Sequence, residues 1–486
     1  MMKKAQISIL LLAALLLASC GEAAAPGADD TTSAGDTTAP EVTTAVDPAR
    51  VSNLPEKYDL GGYEFRVLKQ AQDKIAWSLQ TFGVSEENGE VLNDAIYARN
   101  QAMMEKYNFK MKEIEIDTYP HSTVRSSVMA GDDEYDAAFI AITHDRSPFD
   151  GTYFNVYDLP HLELDKAWWN QAMQEALTFG GSLYFLSGDL IVSDDDGLQI
   201  NIYNKALGED FKFENLYDVV NEGRWTIDYK KKLLTDVSAD LNADGKMDTD
   251  DRMPMFYANN AAGAPYFASA NVQLFTPEGD GLVFTGENER AHAVFEKMQT
   301  ILSDKKYSYE WSQITEALPL DVMVAMFDTK QALFIDGALN FVRRSLRNMD
   351  ADFSILPMPK LDEAQDTYYG YSNSAMTYLM VPATIGDPDK VGFILEALCA
   401  ASGKITDTYY RTCIEGKYVR DAESIDMMNI AAANIVYDMG FLYNWGSLGN
   451  SIQNAMMNGG GYASLIASGK EAAIAAMEDY MEQIAG

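Results

Sequence analysis

Cysteine and histidine are scarce here: 486 residues carry three Cys and four His. His121, His144, His161 and His292 have no ligand-like spacing, which removes the His/Cys centres that hold zinc. No Ser-His-acid motif and no phosphate-gripping glycine loop is present, so familiar signatures of hydrolases and nucleotide binders are missing. Positive charge is also short, with 37 Lys and Arg against 73 Asp and Glu, a formal net charge of −36. So acidic a surface repels phosphate backbones and anionic headgroups, which argues against nucleic acid and peripheral membrane partners. No local basic cluster stands out that would suit a strongly anionic ligand. The apolar run Ile9–Ala18 falls short of the roughly 20 residues a spanning helix needs.

That run is nonetheless long enough for the h-region of a signal sequence, and Lys3 and Lys4 precede it. The following Leu17-Ala18-Ser19-Cys20 resembles a bacterial lipobox. The resemblance implies removal of residues 1–19 and diacylation of Cys20 with palmitate-type chains. It places the mature protein on the extracytoplasmic face of the cell membrane, where two acyl chains anchor stably and one is marginal. Residues 20–55 read as a linker, since Gly21 to Val51 contains no aromatic residue and little to bury. Such a segment does not recover its ordering entropy and stays disordered, letting the folded part roam roughly 30 Å from the bilayer. Cys399 and Cys413 fall in helical stretches without a neighbouring His, and two buried free thiols are expected. An extracytoplasmic location also permits a disulfide.

About 430 residues remain, too many for one core, so two lobes are expected. Tyr63–Lys69 reads as a strand, Leu92–Tyr107 as a helix and Phe109–Ile116 as a strand. Thr123–Met129 is helical and Tyr135–Ile142 a buried strand, an alternation that predicts a parallel α/β sheet. Ligands of such sheets bind beyond the carboxyl ends of the strands. That puts His144, Asp145 and Arg146, just after the third strand, among the candidate contacts. Lys390–Ala401 and Lys470–Ile484 read as helices with apolar stripes that face a core.

Several segments, in order, resemble bacterial extracellular solute-binding proteins. Gly188-Asp189 followed by INIYNKAL (200–207) resembles the first crossover of that family, and NLYDVVNEGRWTID (215–228) the helices after it. KQALFIDGAL (330–339) with DFSILPMPK (352–360) resembles the return into the first lobe, and Val381-Pro382-Ala383-Thr384 a second return before a helical tail. The resemblance covers roughly 55–486. It implies a two-lobed, type II periplasmic-binding-protein-like fold with a cleft between the lobes. Lobe 1 would be 56–198 plus 324–384, and lobe 2 would be 199–323 plus 385–486. It further implies a monomeric, non-enzymatic lipoprotein receptor of the sugar-binding branch that closes on a carbohydrate, expected to be an oligosaccharide, and docks on an ABC permease.

One stretch has calcium-loop spacing. Asp240, Asn242, Asp244 and Asp248 offer oxygens at positions 1, 3, 5 and 9, Lys246 offers its carbonyl at 7, and Asp251 stands at 12. Asp in place of Glu at the twelfth position shortens the last arm. A structural Ca2+ is the expected occupant, with a metal-free acidic turn as the alternative.

Sugar sites pair aromatic faces with Asp, Asn and Arg side chains that bond hydroxyls. Trp77, just after the first strand, and Trp445, in a loop between helices, are the stacking candidates. Asp195 and Asp196 precede the first crossover, and Tyr371, Ser372 and Asn373 a later one; all could line the cleft. Trp168, Trp169 and Trp225 read as core, with Thr226 as a helix cap. Rival readings are a surface glycoside hydrolase with paired carboxylates, a calcium-dependent adhesin, and a receptor for a peptide or other solute.

Overall fold

All five residues of Ala137–Ala141 (AAFIA) are apolar, so this strand must be covered on both faces, and all five are buried. The same logic organises the rest of the computed structural model. It describes residues 50–146, 150–279, 281–311, 320–346, 349–410 and 423–485, all within the unit Asp47–Gly486. The expected signal sequence, Cys20, most of the expected linker and Cys413 lie outside the described residues.

Eleven strands form among the described residues. First come β1 (Tyr63–Gln70), β2 (Phe109–Ile116), β3 (Ala137–Ala141) and β4 (Gln199–Asn204). Next are β5 (Met255–Tyr257), the antiparallel pair β6 (Phe275–Glu278) and β7 (Gly281–Phe284), and β8 (Tyr309–Glu310). The last three are β9 (Phe334–Ala338), β10 (Phe353–Leu356) and β11 (Thr377–Met380). One sheet has the order β11-β3-β1-β2, the other β10-β4-β9-β5-β8. In the first, β1 runs parallel to β2 and β3, and β11 joins antiparallel. In the second, β9, β5 and β8 are parallel, while β4 lies antiparallel between β10 and β9.

Local signals explain the first sheet. Helix Val91–Tyr107 stops at Asn108, whose positive φ of 52° reverses the chain directly into β2. Helix Pro120–Ala130 has Pro120 in its first turn, where a missing N–H costs nothing, and ends on Gly131 at φ 76°. In the second sheet, helix Ile227–Val237 begins at Thr226, which accepts the Tyr229 N–H at 3.2 Å as expected of a cap.

The division of the chain between the lobes differs from the expected one. Residues 324–384 were expected in lobe 1, yet β9 and β10 occupy both edges of β4 in the second sheet, and only β11 returns to the first. The reason lies in β4: its six residues are all buried and its two edges need hydrogen-bonded partners. Nor does all of 385–486 belong to lobe 2. Helix Pro388–Ala400 packs on helix Val91–Tyr107 and on β1 in the first lobe. There Phe393 stacks on Tyr58 at 4.3 Å and meets the edge of Tyr107 at 4.9 Å. Helix Glu423–Ala432 then packs on β10 and β4 in the second. The folded part also starts before residue 56: Arg50 pairs with Asp189, and the Asn53 N–H donates to Glu163 at 2.6 Å.

Trp168 and Trp169 are buried, and both indole N–H groups donate to the Glu396 carboxylate, at 3.1 and 2.9 Å. Trp225 is buried as well, donating to the Pro357 carbonyl at 2.8 Å. Cys399 is a free, buried thiol. Among the described residues no helix is long and apolar enough to cross a membrane.

Candidate functional site

Between the two sheets lies a cleft of about 180 Å3. It opens at the carboxyl ends of β1, β5, β8 and β9, where peptide groups stop pairing and side chains are free to meet a ligand. The first lobe contributes Trp77 and the Asn373–Met376 approach to β11; the second contributes Tyr257, Asn260, Trp311 and the segment Ile335–Arg344.

Trp77 is held by its own loop. Gln72 Nε2 donates to the Ile75 and Ser78 carbonyls at 3.1 Å each, and Gln80 Oε1 accepts the Gln70 N–H at 3.0 Å. The Ser78 hydroxyl lies 3.0 Å from that of Thr377 on β11, which pins the loop to the sheet. Both Trp77 and Trp311 are half-buried, so part of each ring system stays open to the cleft. Asn373 is oriented by its Oδ1, which accepts the Ala375 N–H at 2.9 Å, and by its own N–H, which donates to the Gly197 carbonyl at 3.0 Å.

The floor is β9. Asp336 pairs across the ladder with Asn201 on β4 and Tyr257 on β5. Its Oδ1 accepts from Lys230 Nζ at 2.6 Å and from Asn201 Nδ2 at 2.8 Å; its Oδ2 accepts from the Tyr266 hydroxyl. Lys230 has no exposed surface and Asp336 has 1 %. Burial lowers the Lys230 pKa and the Asp336 charge acts against that shift. Burial, followed by the Asp336 charge, pushes the Tyr266 hydroxyl well up. Gln199, at the start of β4, lines the cleft with a buried Oε1 that has no hydrogen-bond partner.

Of the residues singled out from sequence, the cleft gathers Trp77 and Asn373. The others stand elsewhere. Asp145 is buried between Arg125, with which it forms an ion pair, and the Tyr153 hydroxyl at 2.6 Å. His144 packs its ring 3.8 Å from that of Tyr119, and Arg146 is exposed away from the cleft. Asp196 is fully buried, accepting two bonds from Arg343 at 2.9 and 2.6 Å and one from Tyr409 at 2.6 Å. Asp195 accepts from Tyr410 at 2.6 Å and lines a separate hollow of about 230 Å3 with Asp194, Asn170 and Tyr437. Burial raises the pKa of both Asp194 and Asp195. Tyr371 packs against Ala264 and Ala268 while its carbonyl accepts the Gln199 N–H at 2.8 Å. Trp445 is core: it stacks 12° from parallel on Tyr443 at 5.6 Å and meets Phe275 edge-on at 5.0 Å.

In the loop 240–251 the acidic side chains turn inward onto the backbone. Asp240 accepts from the Ala243 and Gly245 N–H groups at 2.6 and 2.9 Å, Asn242 from Asp244 and Asp244 from Lys246. Asp248 accepts from Asp250 at 3.0 Å, and Asp251 from Leu241 and Asp248 at 2.8 and 2.9 Å. Among the described residues no three His, Cys, Asp or Glu gather as a metal site would require.

Sequence reasoning missed Trp311, Gln199, Asp336 and Arg344. Asp336 carried a signal, an acid at the centre of the otherwise apolar FIDGA run. Trp311 and Gln199 carried none, because which strand end faces the cleft depends on the crossover pattern.

No protein-family model matches the chain, and no curated protein sequence does. Solved structures do match its fold. The galacto-N-biose/lacto-N-biose I-binding protein of an ABC transporter from Bifidobacterium longum, solved with lacto-N-biose, aligns at TM-score 0.55 and 13% identity, covering 87% of this chain and 98% of that one. UgpB from Mycobacterium tuberculosis, solved with glycerophosphocholine, gives 0.54 at 13% identity, with 86% and 99% covered. The ABC substrate-binding protein Lmo0181 from Listeria monocytogenes, solved with cycloalternan, gives 0.51 at 11% identity, with 87% and 99% covered. At these identities the likeness establishes the two-lobed binding-protein fold.

Proposed function

We propose that this protein, which has the two-lobed fold of ABC-transporter binding proteins, is an extracellular receptor that captures a saccharide in its interlobe cleft and hands it intact to a permease. The observation that carries this reading is the cleft itself. It offers indole rings from both lobes, Trp77 and Trp311, and amide side chains at Gln199, Asn260, Asn340 and Asn373. Aromatic faces cover the apolar faces of a sugar ring while amides bond its hydroxyls. The volume lies below the roughly 300–1,000 Å3 of pockets for drug-sized ligands, which favours one or two sugar rings over a long oligomer. That the Bifidobacterium and Listeria proteins were solved in complex with lacto-N-biose and cycloalternan supports the same class. Attachment through a lipidated Cys20 belongs to the proposal on the strength of the lipobox alone.

A glycoside hydrolase of the two-carboxylate type is disfavoured because, among the described lining residues, Asp336 is the one acid, and both its oxygens are taken. Thermal-shift screening of residues 21–486 against mono- and oligosaccharides, with peptides as controls, tests the proposal. A saccharide should raise the melting temperature and return unchanged on chromatography. Stabilisation by peptides alone, or a cleaved sugar, counts against it.

We also propose Ca2+ as a structural occupant of loop 240–251. Its support is the donor chemistry, an arc of carboxylate and amide oxygens that suits a hard cation; ligation requires those oxygens to turn from the backbone.

A further inference from the structure

The cleft holds a charge that pairs with no carboxylate among the described residues. Arg343 and Arg344 are adjacent on one π-helical turn, Val342–Leu346, a distortion often found at functional sites. That turn sends the two guanidinium groups apart. Arg343 makes the two-pronged contact with Asp196, whereas Arg344 lines the cleft. Among the described residues no carboxylate pairs with Arg344. Loss of hydration and the neighbouring Arg343 charge lower its pKa, against a pull from Asp196, the carboxylate that Arg343 already holds.

Asp336 cannot serve as that counterion, since Lys230 and Asn201 occupy one of its oxygens and Tyr266 the other. Glu310 lies near enough to Tyr257 for its charge to add to the rise that burial gives that hydroxyl's pKa, and it does not line the cleft. Taking Asp336 and Lys230 as a neutral pair, the described residues of the cleft carry one unbalanced positive charge in a chain of net charge −36. A planar guanidinium matches a carboxylate through two parallel N–H···O bonds.

We infer that the solute is a monoanionic saccharide, a sugar acid of the uronate type, with its carboxylate on Arg344 and its ring between Trp77 and Trp311. The inference rests on the saccharide-receptor reading and narrows it. It also revises the sequence-based view that no basic group awaits an anion: Arg343 and Arg344 are adjacent in the chain, and only the fold separates their roles.

The test is isothermal titration of the wild-type protein, Arg344→Gln and Arg344→Lys. The ligands are glucuronate and galacturonate, their short oligomers, and the neutral glucose and galactose counterparts. Circular dichroism checks that the variants fold, which the exposed position of Arg344 favours. A uronate should bind at least tenfold more tightly than its neutral counterpart and weaken with added salt. Arg344→Gln should erase that preference and Arg344→Lys restore part of it. Neutral sugars binding as tightly as uronates, with Arg344→Gln changing neither, overturns the inference and leaves the receptor reading standing. Binding of no saccharide, neutral or acidic, overturns the receptor reading and the inference with it.

Discussion

Lys230 Nζ lies 2.6 Å from Asp336 Oδ1 in a region closed to solvent, tying helix Ile227–Val237 to the strand that floors the cleft. Removing one member of such a pair strands the other as a buried charge, which typically costs about 3–5 kcal/mol. Lys230→Met should therefore lower unfolding stability by that order. Adding Asp336→Asn should recover part of the loss, because the remaining donors, Asn201 and Tyr266, suit a neutral acceptor. Urea denaturation of the two variants checks the sign and the partial recovery.

Trp445 separates two readings of an aromatic residue. Read from sequence it is a stacking candidate; in the fold it is 6 % exposed among Phe275, Tyr443 and Tyr480. Truncating a buried Trp costs about 3–5 kcal/mol. Trp445→Ala should show that loss in thermal denaturation while the affinity of the folded protein for its ligand stays unchanged. An affinity drop without destabilisation would return Trp445 to the site.

The legible part of the fold was the part whose signals are local. In the first sheet, β2 fell on the expected residues and β1 within one, because alternation and helix stops such as Asn108 and Gly131 are written in neighbouring residues. Lobe membership was not local. Strands β9 and β10 are mostly apolar, as a strand of either sheet would be, and only pairing with β4 decides their side. The same limit governs the site. Trp77 and Asn373 were found because they follow or precede recognisable strands. Asp145 stood at an equally good position, and Arg125 and Tyr153, neither of them next to it in the chain, drew it out of reach.

Asp438 gives a pH signature. It is buried at the start of helix Met439–Tyr443, accepting the Leu274 and Gly440 N–H groups at 2.8 Å each. Burial outweighs these bonds and pushes its pKa up to about 7, from 3.8. The folded state then holds a proton that the unfolded state has released. The group's contribution is most favourable below about pH 4 and is lost as pH rises to about 7, by a few kcal/mol. Asp438→Asn, which keeps an oxygen acceptor, should flatten the fall in melting temperature over that window. An unchanged pH profile would show that Asp438 is ionised throughout.

If loop 240–251 takes Ca2+, adding millimolar calcium to chelator-treated protein should raise the melting temperature, with magnesium doing less. Asp240→Ala should remove the difference and leave sugar binding in place. No shift with calcium in the wild-type protein would make the loop a self-capped acidic turn.

Trp77 and Trp311 bring one indole from each lobe to the cleft. Isothermal titration of the best saccharide into wild-type protein and into the Trp77→Ala/Trp311→Ala double variant measures whether they grip it. At least a tenfold loss of affinity, in a variant that still folds and with the sugar recovered whole, is the predicted result. Undiminished affinity in the double variant would mean that the guest sits somewhere else.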